Sequence, residues 1–177
     1  MSEQNKPKPV TLFYSYSHKD EKFRDALAKH LALLKRQGLI KEWYDRQIGA
    51  GDEWREAIDE HLEAADIILL LVSADFIASD YCFDKEMGRA LERHDGGEAL
   101  VIPIIVRPVN WTGAPFGRLQ ALPKNGKPVT VWDNRDSAWV NVAEGISKMV
   151  VDISSGLPLE KRAVSGSSFI LPMGGQL

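Results

Sequence analysis

Ile67-Ile68-Leu69-Leu70-Leu71-Val72 places six apolar residues in a row with no polar alternation. A β-strand tolerates that only where both of its faces are covered, as in a parallel sheet layered between helices. The run is far shorter than the roughly 20 residues that cross a bilayer. It therefore reads as the central strand of a sheet with helices above and below.

Toward the amino terminus, Val10-Thr11-Leu12-Phe13-Tyr14 is β-branched and aromatic and predicts a first strand. Beyond Ser15 to Asp20 the period changes. Phe23, Leu27, Leu31 and Leu34 recur at spacings of four and three, the stripe of an amphipathic helix that Gly38 closes. Leu39 to Tyr44 predicts a second strand, followed by the glycine loop Asp45-Arg46-Gln47-Ile48-Gly49-Ala50-Gly51. Asp52 is placed to cap a helix with Trp54, Ile58 and Leu62 on one face.

Toward the carboxyl terminus, Ser79 and Asp80 are candidate caps for a helix that buries Phe83, Met87, Ala90 and Leu91. Leu100 to Val106 is the fourth strand, in which Pro103 favours an edge-side or bulged position. Residues 107–127 read as a long loop with at most a short helix near Phe116 to Leu122. Pro128 to Trp132 predicts a fifth strand, and Trp139, Val142, Ala143, Ile146 and Val150 mark a last helix.

Five repeats of strand then helix give an α/β class: a flavodoxin-like five-stranded parallel sheet, order 2-1-3-4-5, with helices on both faces. Ligands of such sheets gather outside the carboxyl ends of the strands at the switch point, here beside strands one and three. Three segments then surround one cleft: Tyr14 to Asp20, the glycine loop after Tyr44, and Ser73 to Glu86.

A chain of 177 residues supports one domain, here residues 9–153, preceded by a leader at 1–8 and followed by a linker-like tail at 154–177. The apolar Phe169-Ile170-Leu171 in that tail either docks on the domain or opens a second one. A net charge of −3 supplies no basic field for phosphates, which argues against direct nucleic-acid binding. Cys82 is the only cysteine, so neither an internal disulfide nor a cysteine metal cluster is expected. The leader lacks the apolar core of a secretory signal, and a cytoplasmic protein without a membrane segment is expected. Phosphate-loop, dinucleotide-loop and nucleophile-elbow motifs are absent, and His18, His30, His61 and His94 lack metal-ligand spacing, so no metal site is expected.

Glu86 is the candidate that remains. At helical spacing it shares a flank with Cys82 beside the apolar stripe of Phe83, Met87 and Ala90. If its helix begins beside the end of strand three, the carboxylate faces the cleft and can stabilise positive charge developing on a substrate. The plainer alternative is a solvated glutamate paired with Arg89 or Arg93.

Phe13-Tyr14-Ser15-Tyr16-Ser17-His18-Lys19-Asp20, Trp43-Tyr44-Asp45-Arg46-Gln47-Ile48 to Trp54, Ala65-Asp66 through Val72-Ser73, and Ser79-Asp80-Tyr81-Cys82 to Glu86-Met87 together resemble the successive boxes of a bacterial Toll/interleukin-1 receptor (TIR) domain. Arg107-Pro108-Val109-Asn110-Trp111 and Leu119-Gln120-Ala121-Leu122-Pro123 are similar to later segments of bacterial members. The resemblance covers roughly residues 9–150 and leaves the tail outside.

It implies an NAD+ nucleosidase in which Glu86 is the catalytic glutamate, with NAD+ as substrate and no added cofactor. Ser17 and His18 fall in the loop after strand one, near the substrate. Arg46 and Ile48 fall in the loop 45–51, which in the family closes over the site and mediates self-association together with neighbouring helices. Trp54 matches an aromatic near the substrate, although a buried anchor for the second helix fits equally. Cys82 stands where many NAD+-cleaving members have tryptophan, which implies either that Tyr81 or Phe83 supplies the aromatic surface or that activity is reduced. A sensor domain or partner protein and a role in prokaryotic defence are implied as well. The competing expectation is a non-enzymatic TIR scaffold. A phosphorylated receiver or a nucleoside deoxyribosyltransferase fits less, because Asp20 and Asp75 do not reproduce the receiver's acidic arrangement.

Overall fold

The computed structural model describes residues 8–43 and 60–156. Four parallel strands, β1 (Val10–Ser15), β2 (Ile40–Trp43), β3 (Ile67–Val72) and β4 (Leu100–Ile105), form one sheet in the order β2-β1-β3-β4. Leu12 stands opposite Glu42 on one side and Ile67 on the other, and Ile67 opposite Leu100. All six residues of β3 are buried, as its unbroken apolar run requires.

The helices are α1 (Glu21–His30), α2 (Ala32–Arg36), a helical stretch at 60–64, α3 (Ala74–Ala78), a π-helical turn (Tyr81–Glu86), α4 (Met87–Asp95) and α5 (Arg135–Ser154). Alternation along the strands divides the core into two layers. Leu12, Tyr14, Ile67, Leu69, Leu71, Ile102 and Ile104 pack with Phe23 and Leu27 of α1 and with Trp139, Val142 and Ile146 of α5. Phe13, Ile68, Leu70, Val72, Val101 and Ile105 pack on the opposite face with Phe76 of α3, Met87 and Ala90 of α4, and Leu62.

The first helical stripe is broken at Leu31, whose φ of −98° and ψ of 2° separate α1 from α2. Gly38 then ends α2 at φ +73°, with Leu39 N–H donating to Leu34 O and Gly38 N–H to Lys35 O. That paired closure satisfies carbonyls the helix leaves unbonded.

The expected fifth strand is corrected. Val129–Val131 is a 3-10 turn, and the described sheet has four strands. Two prolines and an occupied edge explain it. Leu122 already bridges β4, accepting from Ile105 N–H at 2.8 Å and donating to Pro103 O at 2.9 Å. A residue's N–H and C=O point to the same side of its strand, so the missing donor of Pro103 faces this edge. Pro128 cannot donate either. Thr130 makes one bond, to Val106 O at 3.2 Å, before the chain curls through Val131 N–H to Pro128 O. The loop helix expected near Phe116 to Leu122 is a single 3-10 turn at Pro115–Arg118. Tyr44, the glycine loop 45–51, the Asp52 cap, Trp54 and Ile58 lie outside the described residues, as do the leader at 1–7 and the tail from 157.

Candidate active site

Strand parity decides what meets Glu86. Phe13 and Ser15 point to the α4 side of the sheet, and Ser15 is the last residue of β1. Ser73, directly after β3, caps α3 by accepting from Phe76 N–H at 3.0 Å. Ser79 caps the next turn: its hydroxyl accepts from Cys82 N–H at 3.2 Å and its carbonyl from Phe83 N–H at 2.9 Å. The wider π-helical turn that follows ends at Glu86. Such insertions recur at functional sites.

Glu86 is 6% exposed, and the Ser15 hydroxyl donates to its Oε1 at 2.5 Å. The solvated alternative is thereby excluded: Arg89 pairs with Glu63, Glu92 and Glu98, and Arg93 donates to the carbonyls of Leu62, Ala65 and Glu98. Cys82 is buried as well, its Sγ donating to Tyr16 O at 3.3 Å. Glu86 and Cys82 therefore both engage the end of β1. Phe83 is half-buried and packs against the α4-side core. Ser17 is half-buried and its hydroxyl accepts from Lys19 N–H at 3.3 Å, while His18 is exposed beside Tyr16 with ring centroids 6.3 Å apart. Arg46, Ile48 and Trp54 lie outside the described residues.

Sequence reasoning missed a second polar assembly at the same edge. Arg107, just after β4, donates to Asp20 Oδ1 from Nε at 2.9 Å and from Nη2 at 2.7 Å, and Nη2 also reaches Asp75. The Ser73 hydroxyl donates to the other Asp20 oxygen. Burial alone would lower the Arg107 pKa, but its hydrogen bonds to Asp75 and Asp20 outweigh that and raise it. The cluster ties the segments after β1, β3 and β4 together and engages both carboxylates with Arg107. Ser15 was also missed as a site residue. Its signal was available in the period of two that sets it on the face of Phe13.

An open groove of about 570 Å³ lies between α1 and α5, lined by Phe23 and Trp139 with Lys22, Lys29 and Arg135. It is on the opposite face of the sheet from Glu86. Its acids, Asp25 and Asp136, pair with Arg24 and His30. Volume alone does not locate chemistry. Among the described residues no cluster of three or more His, Cys, Asp or Glu is placed to hold a metal, and no helix is long and apolar enough to cross a membrane.

The TIR domain family model matches residues 12–141, which take in β2, β3, β4, all but the first two residues of β1, and both Glu86 and Arg107. The chain belongs to the TIR family. Uncharacterized protein y4lF of Sinorhizobium fredii (strain NBRC 101917 / NGR234) is 59% identical over 136 residues, covering 77% of this chain. The match covers only 42% of that relative's length. The crystal structure of the TIR domain of the Toll-related receptor TRR-2 from Hydra magnipapillata superposes with a TM-score of 0.53 at 22% identity. That match covers 77% of this chain and 97% of the Hydra TIR domain, a likeness of fold. The TIR domains of the activated Roq1 resistosome directly recognizing the pathogen effector XopQ reach a TM-score of 0.47 at 15% identity, over 90% of this chain and 84% of theirs. A superposition that loose adds nothing to the assignment.

Proposed function

We propose that this TIR domain is an NAD+ nucleosidase in which Glu86 acts on the bond between nicotinamide and ribose. The observation that carries the reading is a buried carboxylate at the ends of β1 and β3, held by Ser15, where an open α/β sheet gathers its ligands. The nicotinamide of NAD+ is cationic, so its departure with the bonding electron pair leaves a neutral base and oxocarbenium character on the ribose. A carboxylate beside the sugar stabilises that charge and accepts from the ribose hydroxyls. Water then adds hydroxide to the anomeric carbon and releases a proton, giving ADP-ribose. Attack from within the molecule gives a cyclic isomer instead.

Glu86 is the catalytic residue of this reading. The same reading takes Ser17, His18, Cys82 and Phe83 as substrate-binding residues, together with Arg46, Ile48 and Trp54. NAD+ is a substrate and no cofactor is needed. Self-association through the loop 45–51 and neighbouring helices orders the site and shifts it toward the competent form. The setting is prokaryotic cytoplasmic defence, with a sensor domain or partner protein supplying the signal.

One observation favours a second reading, a non-enzymatic TIR scaffold: a glutamate only 6% exposed and hydrogen-bonded to a buried serine is also what a structural residue looks like. Nicotinamide release by the protein across a concentration series separates the two. The nucleosidase reading predicts release that rises faster than protein concentration and is lost in Glu86→Gln. Ordered self-association without release at any concentration favours the scaffold.

A further inference from the structure

We infer that the groove between α1 and α5 is a docking site for an acidic peptide segment of a partner protein, on the face of the sheet away from Glu86. Nothing in it depends on what Glu86 does.

The walls of the groove carry more cation than anion. Lys22, Lys29 and Arg135 are exposed along it, and among the described residues none of the three is paired with a carboxylate. Its two acids are already engaged, Asp25 by the buried Arg24 and Asp136 by His30 at 3.3 Å. The ring of Phe23 instead draws in a cation from each wall: Lys22 Nζ lies 5.2 Å and the Arg135 guanidinium 5.9 Å from its centroid. A ring attracts a cation without cancelling its charge, so both keep their pull on a carboxylate. Lys22 and Lys29 lie two turns apart on one side of α1, a separation of about 10 Å along the axis. A peptide with two carboxylates at that spacing meets both. The volume of about 570 Å³, with Phe23, Ala26 and Trp139 in its lining, has room for an aliphatic side chain between them. Two other occupants fit less well. A second copy seated groove to groove brings the same three cations against one another. A nucleic acid extends beyond the groove across a chain whose net charge is −3.

The test titrates ¹⁵N-labelled protein with the blocked peptide acetyl-EELEELE-amide and with its uncharged counterpart, acetyl-QQLQQLQ-amide. Amide shifts confined to α1 and the first turns of α5 are expected with the acidic peptide alone, weakening as salt is raised from about 50 to about 300 mM. Lys22→Glu combined with Arg135→Glu is expected to weaken binding at least about tenfold. Lys41→Glu is the control, because Lys41 is exposed beside Thr11 on the other face of the sheet, and it is expected to leave binding within about twofold. The doubly reversed protein is expected to bind acetyl-KKLKKLK-amide instead, a gain that a misfolded variant cannot show. Shifts that are absent at millimolar peptide, equal with the glutamine peptide or indifferent to the charge reversal overturn the proposal. So does tighter binding of oligodeoxythymidylate at the same residues, which makes the occupant a nucleic acid. Self-association in sedimentation that the charge reversal abolishes overturns it too, in favour of a second copy.

Discussion

Asp20 and Glu86 are both buried carboxylates at the carboxyl edge of the sheet, and the fold holds them by different means. Asp20 faces the guanidinium of Arg107 and the hydroxyl of Ser73. Glu86 is met by the hydroxyl of Ser15. The first arrangement sets its carboxylate against a cation. Removing Arg107 strands the Asp20 carboxylate without its cation, a change that costs about 3–5 kcal/mol where both partners are buried. Arg107 is about one-third exposed, so Arg107→Ala is expected to lose nearer about 2–3 kcal/mol in urea unfolding. Arg107→Lys restores part of that, because one ammonium does not reproduce the two-pronged contact. None of this partnership was legible in the sequence. Asp20 and Arg107 are separated by 87 positions, and nothing in local spacing says which of many surface arginines reaches a given acid.

The elements were more readable than their partnerships. The unbroken run of β3, the stripe of Phe23 and Leu27 in α1 and that of Trp139, Val142 and Ile146 in α5 state their faces directly. Leu69 is completely buried at the middle of β3, and Leu69→Ala is expected to cost about 2–5 kcal/mol in the same unfolding measurement. The fifth strand misled because Val129-Thr130-Val131 has β-forming composition but no free edge to pair with; Leu122 had taken it.

The junction of α4 with β4 carries a pH dependence. His94 Nδ1 accepts from Val101 N–H at 3.1 Å, which requires an unprotonated nitrogen. Burial lowers the His94 pKa from its ordinary 6.5, with Arg118 acting in the same direction and Asp95 against it. The folded protein thus binds fewer protons than the unfolded chain in the interval below 6.5. The stability that neutral His94 contributes is complete above that interval and is lost as pH falls through the folded value. Unfolding free energy is expected to drop between about pH 7 and about pH 5, and less so in His94→Gln, which keeps an acceptor for Val101 and gains no proton. An equal drop in both proteins would remove His94 as the cause.

Across the whole molecule, the sheet order, the two-layered core and the place of Glu86 follow from strand periodicity and the short crossovers of a parallel sheet. The local setting of Glu86, by contrast, includes a π-helical turn capped by Ser79 and a hydrogen bond from Ser15 on another element. Sequence spacing at α-helical pitch does not anticipate that turn. The most direct measurement is nicotinamide release from NAD+ by concentrated wild-type protein and by Glu86→Gln, with thermal unfolding followed in parallel. The account predicts a loss of kcat/KM of at least about a hundredfold in the variant with Tm nearly unchanged. Turnover that survives the substitution in a folded protein would contradict it.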